Sequence, residues 1–343
     1  MSNRTTLFPG IYACLAAVLA TPVMAGEPVF GEPTLYGRIN ATVERARISG
    51  SNAETELVDN ASRLGMRAGK ALSDETSVMI QLEGRIRPEG DHTGWILNPR
   101  DNWVGIRNET LGTLRLGRME GPLYHATYDE TSMHNHDSGR SSDKLLWEDA
   151  TGGRMTKSVY YRAPLSGPVK IELLHAFLDK DDGKQHASSP RHDEFAVTYE
   201  FGESRIAGGY AESRDLDVNK AWTVGASTTI KGFVLAGLIE RAQSLPDGGT
   251  SSHRNYARVA VKYPFGKHEL HANYGVAGSW SGSQDSGATQ STLGYNYNLT
   301  EKTKIYGYFT RIKNDANASY SFLEHTPTGA SNTSLALGVS HNF

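Results

Sequence analysis

The sequence predicts an all-β fold, a transmembrane antiparallel β-barrel of about sixteen strands, and three observations carry this prediction. Apolar and polar residues alternate with period two along most of the chain, which is typical of strands with two different faces. Tight turns alternate with longer polar loops. The polar face of many strands carries Arg, Lys, Glu, Asn or His, which indicates a wet interior rather than a dry core.

The N-terminus indicates export. Arg4 is the only charged residue before position 27, residues 11–20 form a short apolar run, and Val23-Met24-Ala25 gives a small-x-small cleavage pattern. The run is too short to span a bilayer as a helix. We therefore expect residues 1–25 to be a signal peptide, and residues 26–343 to form a single barrel domain.

Cysteine usage and charge exclude several classes of protein. Cys14 is the only cysteine and lies in the signal peptide, where Tyr12 does not suit a lipoprotein cleavage site. The mature chain therefore depends on backbone pairing and packing rather than on disulfides. A slight excess of acids, 38 Asp and Glu against 35 Lys and Arg, argues against a nucleic-acid partner. No apolar run reaches the length of a transmembrane helix.

The alternation is clearest just after the signal peptide. Leu35, Ile39 and Val43 fall on one face of a strand, and Arg38 and Glu44 fall on the other. The same period-two pattern recurs at residues 195–201, 257–263, 270–276, 293–299 and 335–343. No helical period competes with it, so strands are predicted along the whole mature chain.

The connections set the number of strands. Tight turns are predicted near residues 72–75, 110–112, 166–167, 202–203, 231–232, 265–267 and 300–302. Longer polar loops are predicted near residues 47–57, 89–99, 122–152, 180–191, 214–219, 244–253, 279–288 and 314–332. Seven short and eight long connections separate sixteen strands of one antiparallel meander. Outer-membrane barrels have this arrangement of short periplasmic turns and long outer loops.

A soluble β-sandwich is the main structural alternative. A sandwich hides its apolar face in a core, whereas a membrane barrel turns that face to lipid. The charged opposite face favours the barrel. Aromatic residues near strand ends, such as Tyr36, Trp103, Tyr199 and Trp222, fit an interfacial girdle, although β-propensity explains any single one of them. The last strand alternates to the terminal residue, Phe343.

Several short motifs, taken in order, resemble a general porin of Gram-negative outer membranes. They are LYGRINATVE at 35–44, SRLGMRAGK at 62–70, NWVGI at 102–106, LGTLRLGRMEGPLY at 111–124, SVYYRAP at 158–164 and the ending LGVSHNF. The resemblance implies a homotrimer of sixteen-stranded barrels in the outer membrane, surrounded by its lipids and lipopolysaccharide. It also implies passive diffusion of small hydrophilic solutes and ions, with no cofactor. Phe343 resembles the signal read by the outer-membrane assembly machinery.

The loop at residues 122–152 is the longest connection and is rich in acids and aromatics. A barrel of this size leaves an aqueous channel unless something narrows it, and we expect this loop to fold inward as the constriction. In the porins that the chain resembles, basic residues of the wall face acids of this loop. By motif the basic wall positions are Arg38, Arg63, Arg118 and Arg154, and strand alternation also turns Arg38 and Arg63 inward.

The remaining candidate residues extend this picture. The resemblance implies that Asp129, Glu130 and Asp137 are the acids of the loop. Arg67, Arg85 and Arg87 share the inward parity of their strands and are expected to extend the basic lining. Four arginines facing two or three carboxylates predict a weak preference for anions.

Other functions remain open at this point. A substrate-specific channel for a sugar, phosphate or organic acid is the principal alternative. A purely adhesive barrel is a weaker one, and an outer-membrane enzyme would need a nucleophile and base that no motif indicates. His125, His134 and His136 with Asp137 resemble metal ligands but have no defined geometry on a loop, so no metal site is predicted. The same histidines could instead make conductance depend on pH.

Overall fold

A computed structural model describes residues 31–90, 98–133, 139–146, 153–178, 187, 189–324 and 326–343. The predicted signal peptide, residues 1–25, lies outside the described residues. Within the described part, no helix is both long and apolar enough to cross a membrane.

Seventeen strand segments run in sequence order around one sheet. They are β1 (Thr34–Ile48), β2 (Ala53–Asp59), β3 (Arg63–Ala71), β4 (Thr76–Arg85), β5 (Asn98–Asn108), β6 (Gly112–Glu120), β7 (Arg154–Arg162), β8 (Val169–Phe177), β9 (Arg191–Phe201), β10 (Ser204–Arg214), β11 (Val218–Ile230), β12 (Phe233–Leu245), β13 (Ser252–Phe265), β14 (His268–Ala277), β15 (Ala288–Asn298), β16 (Thr303–Asn314) and β17 (Asn332–Asn342).

The described strands form a closed antiparallel barrel. The first strand pairs with the last from Arg38 opposite Asn342 to Ile48 opposite Asn332, so the sheet has no free edge along this seam. Segments β2 and β3 both pair with β1 and are two halves of one strand. The barrel therefore has sixteen strands, which confirms the predicted fold class.

The second strand is interrupted at residues 60–62, where Ala61 has a positive φ of 58°. Side chains replace the missing ladder bonds there. The backbone N–H of Asn40 donates to the hydroxyl of Ser62 at 2.9 Å, and the Asn40 amide donates to the carbonyl of Asn60 at 3.0 Å. The interruption lies beside the inner wall that carries Arg38 and Arg63.

Burial in the barrel is the reverse of that in a soluble protein. Outward side chains such as Val43, Val259 and Leu337 are 54%, 63% and 71% exposed, whereas the inward Glu44 and Thr310 are completely buried. Exposed aliphatic side chains around a barrel are stable when they face lipid tails. This burial agrees with the predicted membrane-spanning alternation.

One predicted loop is shorter than expected. The polar stretch at 47–57 contains only a short turn, because β1 continues to Ile48 and β2 already begins at Ala53. In β2 both faces are exposed or half-buried from Ala53 to Val58. Strands that extend beyond the bilayer can carry polar residues on both faces, so alternation fails as a guide there.

The first part of the long loop lies against the inner wall. After Gly121, a π-helical turn (Tyr124–Asp129) leads into a single α-helical turn (Glu130–Ser132). The Leu123 N–H donates to Glu194 of β9 at 3.0 Å, and Arg205 of β10 donates to the Ala126 carbonyl at 2.6 Å. A Cβ at Gly121 would lie 2.2 Å from a Glu194 carboxylate oxygen, so a larger residue there would displace the carboxylate that accepts from Leu123.

The second part of the loop is attached by buried charge. Asp143 pairs with Arg258 of β13 at 2.8 Å, with both side chains almost fully buried, and also accepts a hydrogen bond from Tyr256. Arg140 contacts Glu44 of β1 and pairs with Glu56 of β2. The described loop residues are therefore fixed to opposite sides of the barrel.

The reversed burial predicts the effect of a charge on the outer face. Val259→Lys places an ammonium near the middle of β13, facing lipid, and is expected to destabilise the barrel by about 2–4 kcal/mol. The measurement is the temperature at which the folded band disappears in heat-modified gel electrophoresis. Gln81→Lys, on the wall of the internal cavity, is the matched control and should unfold near the wild-type temperature; equal losses would contradict the assignment of faces.

The buried ion pair between Asp143 and Arg258 is expected to hold the loop against the barrel wall. Asp143→Asn keeps the size of the side chain but leaves Arg258 buried without its counter-charge, which is expected to weaken the docked loop by about 3–5 kcal/mol. Limited proteolysis of the folded barrel should then cut within residues 122–152 faster than in the wild type. The exposed rim substitution Asp217→Asn should leave the rate unchanged, and an unchanged rate in Asp143→Asn would refute the role of the pair.

Candidate channel constriction

The wall and the loop enclose a cavity of about 1980 Å³ inside the barrel. Six of the predicted site residues line it: Arg38, Arg63, Arg67, Arg85, Arg154 and Asp129. The wall residues come from β1, β3, β4 and the start of β7, and Asp129 comes from the loop. The described structure thus brings three of the four predicted basic wall residues and one predicted loop acid to the same space.

Three arginines stand side by side on neighbouring strands. Arg38 of β1 is in register with Arg63 of β3, which is in register with Arg85 of β4. We call these three residues the arginine row. Directly paired side chains of a sheet lie about 5 Å apart at Cβ, and like charges in such positions destabilise the sheet. A guanidinium is charged at any physiological pH, so the row is a permanent positive strip on the wall.

A carboxylate and a backbone carbonyl contact the two ends of the arginine row, and an aromatic ring contacts the neighbouring Arg67. Arg85 pairs with Asp59 at 2.8 Å, and the Arg38 guanidinium reaches the Ala61 carbonyl at 3.5 Å. Arg67 lies over the ring of Tyr36, with its Cζ 5.4 Å from the ring centroid. These contacts fix the guanidinium groups on the wall while their faces still border the cavity.

A second group of charges lies where the loop leaves the wall. Arg154 is 2.5 Å from Asp101 and 3.1 Å from Glu120. The Nε2 atom of His125 is 3.4 Å from Glu120, and its Nδ1 atom is 2.6 Å from Asp129. We call Asp101, Glu120, His125, Asp129 and Arg154 the loop-base cluster; all five line the cavity.

The acids of the cluster act on the imidazole of His125. Burial alone would lower its pKa, but the hydrogen bond to Asp129 and the charges of Glu120 and Asp129 outweigh burial and raise the pKa to about 9. His125 is therefore a cation near neutral pH. The cluster then holds three carboxylates against two cations.

Arg118 and Arg87 take other positions. Arg118 is in register with Asn102 and donates to the carbonyls of Pro99 at 3.2 Å and Arg154 at 3.1 Å. It is not one of the residues that line the cavity, whereas Glu120, two positions later on the same strand, is. Arg87 follows the end of β4 and does not line the cavity either.

The remaining predicted loop residues are described only in part. Glu130 begins the short α-helical turn, but its side chain lies outside the described structure. Asp137, His134 and His136 lie outside the described residues altogether.

The structure adds charged residues that motif matching did not single out. Asp143 and Glu120 are on the loop and at its base, and Arg140 bridges from the loop to the opposite wall. The inward parity of Arg258 was readable from its strand, and a buried arginine requires an acidic partner. That partner, Asp143, lies 115 positions away in the chain, so no local pattern identifies it.

Glu83 lies between the two charge groups. It accepts a hydrogen bond from Tyr36 at 2.9 Å and pairs with Arg100 of β5. Both Glu83 and Arg100 line the cavity. The wall therefore carries compensated pairs between the arginine row and the loop-base cluster.

Comparisons with known proteins agree with this architecture. The profile of the Gram-negative porin family matches residues 12–317, which is most of the chain. The outer membrane porin protein 32 of Delftia acidovorans is 26% identical, over 82% of this chain and 84% of that protein.

Solved structures show the same fold. An anion-selective porin from Comamonas acidovorans superposes with a TM-score of 0.77 at 23% identity, covering 91% of this chain and 99% of that one. The trimer form of OmpT from Vibrio cholerae gives 0.67 at 14% identity, covering 92% and 100%. With the family match, the closed barrel and its charged internal cavity, the chain belongs to the Gram-negative porins, outer-membrane proteins that form a water-filled channel.

Proposed function

We propose that this porin carries small hydrophilic solutes and ions by passive diffusion through a constriction that leans weakly toward anions. The wall side of the constriction is the arginine row with Arg67 and Arg154, and the loop side carries Asp129, Glu130 and Asp137. The observation that carries this proposal is the register of Arg38, Arg63 and Arg85 on neighbouring strands that border the cavity.

The balance of charge gives the sign of the preference. The arginine row and Arg67 supply four positive charges, of which Arg85 is paired with Asp59. In the loop-base cluster, the carboxylates of Asp101, Glu120 and Asp129 contact two cations, Arg154 and His125, which offset much of their field. Within the arginine row, Arg67 and the loop-base cluster, six positive groups face four negative groups once Asp59 is counted, and this small excess supports a weak preference for anions.

Saturable block by a solute distinguishes a specific channel from the general channel proposed here. Specific channels bind their solute and show saturable block, and the arginine row is the part of the wall that could bind phosphate or an organic acid. The proposal of free diffusion predicts no saturation with these anions or with sugars. We also propose that the barrel acts as a channel and not as an enzyme, which the family membership supports.

The assembly is also part of the proposal. We propose a homotrimer surrounded by outer-membrane lipids and lipopolysaccharide, supported by the solved trimer form of the OmpT fold neighbour.

Phe343 pairs with Gly37 through both backbone hydrogen bonds, at 3.1 and 3.0 Å, and so completes the seam between β1 and β17. We propose that this terminal aromatic is read by the assembly machinery before the seam closes.

Anion preference is expected to depend on Arg63, the middle of the row. A unit charge about 8 Å from a passing ion in water contributes about 0.5 kcal/mol, with opposite signs for an anion and a cation. Screening at about 0.1 M salt reduces each contribution by about half, so Arg63→Ala should reduce the anion-to-cation permeability ratio roughly twofold. Reversal potentials across planar bilayers in a salt gradient measure this ratio. Clear cation preference in the wild type would overturn the proposal.

Two matched substitutions test whether the permeability ratio depends on charges at the constriction or on the total charge of the protein. Arg118→Ala should change the ratio less than Arg63→Ala, because Arg118 is bound to carbonyls and does not line the cavity. Arg241→Ala, on the exposed outer rim where Arg241 donates to Asn255, should leave it unchanged. Equal effects of all three would mean that overall charge, and not the row, sets selectivity.

The trimer predicts a simple electrical signature. The purified protein should insert into planar bilayers as units whose conductance closes in three equal steps at high voltage. Sedimentation in detergent should give three times the protomer mass. A protomer mass together with single conductance steps would contradict the homotrimer without affecting the assignment of the channel.

A further inference from the structure

The loop-base cluster contains a set of groups that the transport of solutes does not require. One ligand atom from each of Glu120, His125 and Asp129 lies within 4.8 Å of the other two. Ligand atoms around a tetrahedral Zn²⁺ are about 3.3 Å apart, given bonds of about 2 Å. Nε2 of His125 is already 3.4 Å from Glu120. We infer that Glu120, His125 and Asp129 form a binding site for a divalent transition-metal ion such as Zn²⁺ in the wall of the channel.

The elements that carry the ligands are fixed in place. His125 and Asp129 lie on one face of the same helical turn, and Glu120 ends β6 just before it. The turn is attached to the barrel on both sides of His125, by Leu123 to Glu194 and by Ala126 to Arg205. Glu120 faces Nε2 of His125 and Asp129 faces Nδ1, so an ion bound through one of these nitrogens requires the carboxylate on the other nitrogen to rotate, while the attached backbone stays in place.

The charge of the cluster matches a divalent ion. Asp101, Glu120 and Asp129 supply three negative charges, and Arg154 supplies one permanent positive charge. Two further positive charges make the cluster neutral, and a divalent ion provides both while leaving the imidazole neutral and able to coordinate. Arg154 and Nε2 of His125 both contact Oε2 of Glu120, so an ion bound between His125 and Glu120 takes the place of the imidazole proton and stays next to Arg154.

The ligand types set which ion binds. A nitrogen ligand with two carboxylates suits Zn²⁺ or Co²⁺, whereas Mg²⁺ prefers a shell of oxygens and keeps its waters. Three protein ligands leave one position of a tetrahedral ion open to water or an anion. All three ligands line the cavity, so the ion can enter from the channel. Binding would add positive charge at the loop base and strengthen anion preference.

The test is isothermal titration calorimetry of the purified, untagged protein in detergent with ZnCl₂ and, separately, MgCl₂. The wild type is expected to bind one Zn²⁺ per protomer, and Mg²⁺ at the same concentrations should give no such signal. His125→Gln should weaken Zn²⁺ binding roughly 10- to 100-fold. The exposed rim residue His253, which contacts Ser281, provides the control His253→Gln, which should bind as the wild type does.

Two further readouts keep the result decisive. Glu120→Gln should also weaken Zn²⁺ binding while leaving His125 in place, and heat-modified gel mobility verifies that each variant is folded. Co²⁺ added to the wild type should give the intense visible absorption of a four-coordinate ion, and His125→Gln should remove it. Absent Zn²⁺ binding, equal binding of Mg²⁺, or unchanged binding in folded His125→Gln would each overturn the site, whatever the selectivity of the channel.

Discussion

The closure of the β-sheet on itself is the constraint on which the other features depend. In a bilayer every backbone N–H and C=O needs a partner, and only a closed ring of strands supplies partners for strand backbone. The pairing of β1 with β17, extended by Phe343 onto Gly37, completes this ring. Because the outer face contacts lipid, the charged side chains in the middle of the membrane-spanning strands must lie inside. The arginine row and the buried acids of the wall are therefore consequences of closure as well as parts of the channel.

An interior filled with charges of both signs allows a loop to be held by electrostatics rather than by apolar packing alone. Asp143 and Arg258 are nearly inaccessible to water, where their attraction is strong and its loss is costly. Tyr128, Leu145 and Tyr256 pack around this pair in one cluster. Arg140 reaches the opposite wall at Glu44 and Glu56. The loop is thus attached on two sides, which fixes the position of the loop-base cluster relative to the wall.

The sequence predicted the barrel well because alternation and turn spacing are local and are repeated on every strand. The inward positions of Arg38, Arg63 and Arg85 followed from the same parity. Arg118 shows the limit of local patterns: its motif suggested the constriction, but the pairing of β6 with β7 changes register between Gly117 and Met119, so parity does not decide its side. Loop acids carry no such parity, so Asp129 could be proposed only by resemblance, and the partners of Arg258 and Glu44 could not be proposed at all. These contacts join residues about a hundred positions apart and depend on how the loop folds.

The two charge groups differ in a way that bears on selectivity. The arginine row is built into hydrogen-bonded strands, so its charges stay in place and vary little with conditions. The loop-base cluster is built from carboxylates, an imidazole and one arginine, and its net charge depends on what it binds. A channel in which the charge of the arginine row is constant and the charge of the loop-base cluster varies can change its ion preference without changing its shape. Metal binding at the proposed site would therefore change the ion preference of the channel while the barrel itself stays the same.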